Sequence, residues 1–184
     1  MCPELPELEI SDNGVLKLLQ SLNTNKAPGP DRIPNRILKE MAPEIAPILG
    51  AIFRQSLTQG ELPSDWLSAN VSSVYKKSST QSPANYRPIS LTCVSCKLLE
   101  HIICSHIHKH LERHKILTSK QHGFRTRHSC ETQLLITIDE LMKHHNQKHQ
   151  IDLAVLDFSK AFDTIPTTTP TNGFEHNYGT DNRS

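Results

Sequence analysis

"IDLAVLDFSKAFDTIPTTTP", residues 151–170, is the stretch on which the fold of this chain turns. Its first half, Ile151 to Phe158, is a short apolar run with β-branched residues, which predicts a strand. The run delivers a carboxylate, Asp157, to its end, and a second acid, Asp163, follows six residues later. The strands of catalytic sheets often end in a carboxylate placed this way, so the run raises the question of an active site. The same residues admit a plainer reading, in which Asp157 caps the following turn and Phe162 packs in a core. Beyond Pro166 the pattern dissolves into Thr and Pro, and residues 167–184 carry no periodicity, so a disordered tail is expected there.

Upstream of that run the periodicity is helical. "SDNGVLKLLQSLNTNK" (11–26) opens on cap residues and repeats apolar side chains at Val15, Leu16, Leu18, Leu19 and Leu22. A stiff loop around Pro28, Gly29 and Pro30 precedes a short helix from Pro34. "PEIAPILGAIFRQSLTQG" (43–60) reads as a helix with Pro at its start and Gly after its end. "CKLLEHIICSHIHKHLERH" (96–114) and "CETQLLITIDELMKHH" (130–145) are two more, the first with a stripe from Leu98 to Leu111. One strand is expected around Val71 to Tyr75. The fold class is therefore α/β or α+β, helix-rich, with strands too few to close a sheet.

The 184 residues suffice for one ordinary domain, but 36% apolar and 5% aromatic content predict a modest core. No run of 18 apolar residues spans a membrane, and the acidic "MCPELPELEI" has no basic leader region, so an intracellular protein is expected. The net charge of +1 hides an uneven distribution. Residues 1–25 carry one Lys against four acids; residues 26–130 carry 15 Lys and Arg against seven acids; residues 131–184 carry four cations against eight acids. A basic middle between acidic ends suits a polyanion, although a solvated surface would look the same. Five scattered cysteines without a leader read as reduced thiols, and "CVSC" (Cys93, Cys96) lacks the second pair that a zinc site needs. His106 and His110 have metal-binding spacing, but a solvated helix face is the expectation for the histidines.

Four stretches carry a resemblance. "NKAPGPDRIP" (25–34), "NYRPISLTCVSCKLLEHII" (85–103), "QHGFRTRHSCETQLL" (121–135) and "AVLDFSKAFDTIP" (154–166) resemble, in order, blocks of the reverse transcriptase of non-LTR retrotransposons, the jockey-like long interspersed elements above all. The resemblance implies the fingers and the beginning of the palm of a right-hand polymerase. It places an upstream helical segment at 1–25, a partial reverse transcriptase domain at 26–166, and a tail at 167–184. It implies RNA-templated DNA synthesis with Mg²⁺, on an RNA template, a DNA primer and deoxynucleoside triphosphates. Asp157 then matches the catalytic metal ligand, and Phe158 the position whose backbone carbonyl touches a metal. Phe162 matches the aromatic gate against a ribose 2′-hydroxyl. Arg87 matches the triphosphate clasp, a task for a planar fork of donors, with Lys77 in preference to Lys76 beside it. Gln121, Gly123 and Arg125 match template contacts, Gly123 by permitting close backbone approach, while Phe124 is expected in the core rather than as a base-stacking platform. In "KAPGPD" (Lys26, Gly29, Asp31), Arg32 stands where the family usually has Gly, a departure tolerable if its φ stays negative.

The resemblance also exposes a gap. The palm of this family needs a second acidic box, and the 184 residues contain no Asp-Asp dipeptide. A truncated open reading frame, inactive as a polymerase on its own, is the expectation. An exposed palm strand would then invite self-association. The alternatives are a non-catalytic nucleic-acid-binding module, favoured by the basic middle, and a relic without a biochemical role.

Overall fold

A computed structural model describes residues 3–76, 79–82 and 85–157 of the chain. Lys77, Phe158, Phe162, Asp163 and the expected tail at 167–184 lie outside the described residues. The elements run α1 (Asp12–Gln20), α2 (Asn35–Glu40), α3 (Ala42–Gln59), a single 3-10 turn (Ser64–Leu67), β1 (Asn70–Tyr75), β2 (Tyr86–Leu91), α4 (Val94–Arg113) and α5 (Cys130–Asn146). The chain divides into two compact units, between His106 and Ile107.

In the first unit local chemistry sets each boundary. Ser11 caps α1, its hydroxyl accepting from the Gly14 N–H at 3.1 Å. α3 starts with Pro43, which has no N–H to leave unpaired there, and ends at Gly60, whose φ of 70° suits a residue without Cβ. α4 starts in an unusual way. The Cys93 sulfur accepts from the Cys96 N–H at 3.4 Å, so a thiol stands where a cap hydroxyl is common.

These helices bury one core. Val15 and Leu19 of α1 and Phe53 of α3 are fully buried, with Leu38, Val94, Leu98 and Leu99 around them. α1 thus shares its core with α3, across the 25/26 boundary expected from sequence. Burying a side chain the size of Phe53 contributes roughly 1.5–3 kcal/mol, and its ring packs edge-to-face with that of Trp66, centroids 5.7 Å apart. Arg54 ties the start of α1 to α3, donating to the Ile10 carbonyl at 2.9 Å and to Asp12 Oδ1 at 2.7 Å.

Two strand expectations change. β1 pairs antiparallel with β2, Asn70 opposite Leu91 and Tyr75 opposite Tyr86, and β2 had no signature in the sequence. Pro88 sits inside β2 opposite Ser73; proline is tolerated in a two-stranded ribbon because each strand has a free edge. Conversely, residues 151–157 form no strand. Leu153, Val155 and Leu156 are exposed, by 65%, 82% and 93%. A strand exists only as part of a ladder, and no partner strand for this run is present among the described residues.

In the second unit α5 carries a reciprocal capping box. Thr132 N–H donates to Ser129 Oγ at 3.2 Å, and Ser129 N–H donates to Thr132 Oγ1 at 2.9 Å. The histidines depart from a uniformly solvated face. His110 is buried, its ring 4.6 Å from that of His114. In the first unit, His106 Nε2 lies 2.7 Å from the Pro6 carbonyl oxygen and donates to it. No helix among the described residues is long and apolar enough to cross a membrane.

Candidate functional site

The residues singled out by sequence fall into three places. The first is the β1–β2 ribbon. Arg87 stands on β2 opposite Val74, with its side chain exposed and its guanidinium without an ion-pair or hydrogen-bond partner among the described residues. Lys76 is likewise exposed, just past the end of β1, where its N–H donates to the Asn85 carbonyl at 2.8 Å.

The second place is the loop before α5. Arg125 is not a free cation there. Its Nε and Nη2 donate to the two carboxylate oxygens of Glu112 at 2.7 and 2.8 Å, and Nη1 donates to the Thr118 and Gln121 carbonyls at 2.7 and 3.3 Å. The Arg125 side chain is 10% exposed. The hydrogen bonds from Arg125 hold the Glu112 carboxyl below its ordinary value, and the same pairing raises the Arg125 guanidinium. Arg125 therefore folds the loop onto the end of α4. Gln121 Nε2 donates to the Gly123 carbonyl at 3.3 Å. A Cβ built on Gly123 would meet nothing within 4 Å, so its openness faces solvent and not another segment of this unit.

Phe124 overturns its expectation. It is 94% exposed and has φ of 57°, in the left-handed region. Arg127, at φ 62°, shares that conformation. A single aromatic among polar neighbours has no periodic apolar partners to draw it inward, and that isolation was the available signal. Behind Phe124 a cavity of about 460 Å³ opens, lined by His122, Gly123, His128 and the first turns of α5. His122 is buried there, with Nδ1 2.8 Å from Thr132 Oγ1.

The third place is Asp157, exposed at the end of the described chain. No group of three His, Cys, Asp or Glu side chains capable of holding a metal gathers among the described residues. The described donor set fits one ligand of a divalent ion and does not fit a two-ion centre. "CVSC" is a structural element: both thiols are buried, and burial pushes them up, Cys96 to about 11 with Glu100 adding to the effect.

The upstream loop explains its own glycine. A Cβ on Gly29 would lie 2.5 Å from Cys93 Cα, so the loop lies directly against the start of α4. Asp31 Oδ1 accepts from the Ile33 N–H at 3.2 Å and Arg32 N–H donates to the Gly29 carbonyl at 3.0 Å. The condition for tolerating Arg32 fails, since its φ is 55°. The turn keeps the conformation glycine would adopt, at a cost in strain.

Strand β2 with Arg87, the 121–125 block and Asp157 lie within one match: residues 74–176 match the family described as reverse transcriptase (RNA-dependent DNA polymerase). The chain belongs to the reverse transcriptase family. It is 28% identical over 162 residues to the probable RNA-directed DNA polymerase from transposon BS of Drosophila melanogaster, covering 88% of this chain and 18% of that protein. The RNA-directed DNA polymerase from mobile element jockey of the same fly gives the same figures. The probable RNA-directed DNA polymerase from transposon X-element is 28% identical over 152 residues, 82% of this chain and 17% of that protein. The resemblance to non-LTR retrotransposon reverse transcriptases thus holds across most of the chain, which spans less than a fifth of the length of these relatives.

Proposed function

We propose that this chain forms the template- and nucleotide-facing part of an RNA-directed DNA polymerase of a mobile element. The observation that carries the reading is the order of parts within the matched residues: β2 with Arg87, then the 121–125 block, then Asp157. Arg87, without a partner among the described residues and carried on a two-stranded ribbon, offers a planar fork to a deoxynucleoside triphosphate, and the resemblance assigns Lys77 to the same ligand. Gln121 and Gly123 face the template strand, while Arg125 gives the block its shape through Glu112. Asp157, with the Phe158 carbonyl, supplies one side of a Mg²⁺ site, and Phe162 selects against the ribose 2′-hydroxyl. With the family's remaining carboxylates, Asp157 and the Phe158 carbonyl would hold the metal that supplies Lewis-acid chemistry to nucleotidyl transfer.

The 184-residue chain alone binds primed RNA templates but does not extend them, because it contains no Asp-Asp pair to complete the carboxylate set. Purified protein titrated onto a primed RNA template should bind with an affinity that falls steeply as salt rises. No Mg²⁺-dependent extension should follow. Extension abolished by Asp157→Ala would overturn the inactivity, and absence of binding at low salt would overturn the nucleic-acid reading.

A further inference from the structure

The loop before α5 holds a combination that the reading above leaves unused. From Arg113 to Cys130 the sequence has five cations, Arg113, Lys115, Lys120, Arg125 and Arg127, and no acid. Arg125 is neutralised by Glu112, and Lys120 pairs with Glu140 at 3.3 Å. Arg113, Lys115 and Arg127 have no ion-pair partner among the described residues. Phe124 projects from the middle of this basic stretch with 94% of its surface in solvent.

Two costs are being met to hold it there. Exposing a whole phenyl ring forgoes the burial that a Phe normally gains. Left-handed backbone at Phe124 and Arg127 is a strained choice for residues with a Cβ. The loop nevertheless has a defined shape, fixed by the four donations from Arg125 and by the α5 capping box. Beside the ring lies the cavity of about 460 Å³, large enough for a small planar group and walled by His122, His128, Gln133 and Leu134.

We propose that Phe124 is a stacking platform for an unpaired base of a single-stranded nucleic acid, with Arg127 contacting the adjacent phosphate. An exposed aromatic face inside a basic, acid-free stretch is the pairing that single-strand binding uses: the ring accepts any base, and the cations follow the backbone. A duplex offers no free base face to the ring, so the occupant is unpaired. The choice of strand over protein rests on charge complementarity, since the loop offers cations and no acid. The proposal deepens the reading of the chain as a template-facing part and rests on it.

The test uses the full 184-residue protein and a single-stranded RNA of about twelve nucleotides, a typical site size, carrying one 2-aminopurine. Wild type should bind with quenched 2-aminopurine fluorescence. Phe124→Ala should weaken binding by about 5- to 140-fold and abolish the quench, from the usual worth of one base–aromatic stack. Phe124→Trp should keep both, whereas Phe124→Leu, apolar but without a ring face, should lose the quench. Arg127→Ala should lower the salt slope by about one with the quench retained. Because Phe124 supports no packing, all variants should keep the wild-type circular dichroism melt. Equal binding and quench for wild type, Phe124→Ala and Phe124→Leu would overturn the proposal alone. Failure of the wild type to bind RNA at low salt would instead remove the reading on which it rests.

Discussion

Gly29→Ala is the sharpest probe of how the upstream loop is built. The added Cβ would sit 2.5 Å from Cys93 Cα, 2.7 Å from Cys93 N and 2.7 Å from the Thr92 carbonyl oxygen. Carbon atoms rest at about 3.5–4.0 Å, so the overlap with Cα is about 1 Å. All three obstacles are backbone, so no side-chain rotation relieves the clash. Cys93 and Val94 are themselves buried against the core. Overpacking costs about 1–3 kcal/mol when side chains can share the adjustment, and this case belongs at the upper end, about 3 kcal/mol. For a chain of this length that is a fall in Tm of about 6–12 °C. Two other glycines serve as internal standards. Gly60→Ala meets no atom within 4 Å but must adopt φ of 70°, which costs about 1–2 kcal/mol. Gly123→Ala meets neither obstacle and should fall within about 0.5 kcal/mol of wild type. Thermal melts of the three variants should rank Gly29 below Gly60 below Gly123. A Gly29→Ala protein melting within about 2 °C of wild type would refute the packing described for this loop.

Arg32→Gly should do the opposite of most substitutions and stabilise the protein, by about 1 kcal/mol in a urea titration, by releasing the left-handed strain at φ 55°. Thiol labelling at neutral pH should proceed quickly at exposed Cys104 and Cys130 and slowly at buried Cys93 and Cys96, as mass mapping of a timed reaction would read out. Glu112 gives a pH prediction. Its folded-state value lies below the ordinary 4.5, so the unfolded chain takes up the proton first as the solution is acidified. The stability it confers is complete above 4.5 and is lost as pH falls through the folded value. Between about pH 5 and pH 3, Tm should therefore fall more steeply for wild type than for Glu112→Gln, and parallel slopes would contradict the pairing with Arg125.

The helices were legible because a 3.6-residue apolar repeat comes with start or stop signals, as Pro43 and Gly60 bound α3. What escaped was pairwise or conformational. β2 hid behind Pro88, which argues against a strand until its partner is known to be a lone ribbon strand. The apolar run at 151–157 had a strand's composition without a ladder to join. Within the site, the resemblance names positions, but the chemistry around them was not readable. Nothing in the sequence announces that Glu112, thirteen residues away, occupies Arg125, or that Phe124 turns outward on a left-handed backbone. Both depend on where a loop closes in space, which no period encodes.

Pro88 has one more effect. Among the described residues the β1–β2 ribbon has two open edges, and open edges are templates on which neighbouring chains can add strands and grow into aggregates. Proline offers no N–H, so a strand aligning with that edge of β2 would lack one rung of its ladder at Pro88. Arg87, adjacent to it, brings a charge to the same strand, and repeated copies would stack like charges within a few ångströms. The segment that presents the arginine therefore also resists fibrous growth, and a Pro88→Val chain should aggregate faster at high concentration.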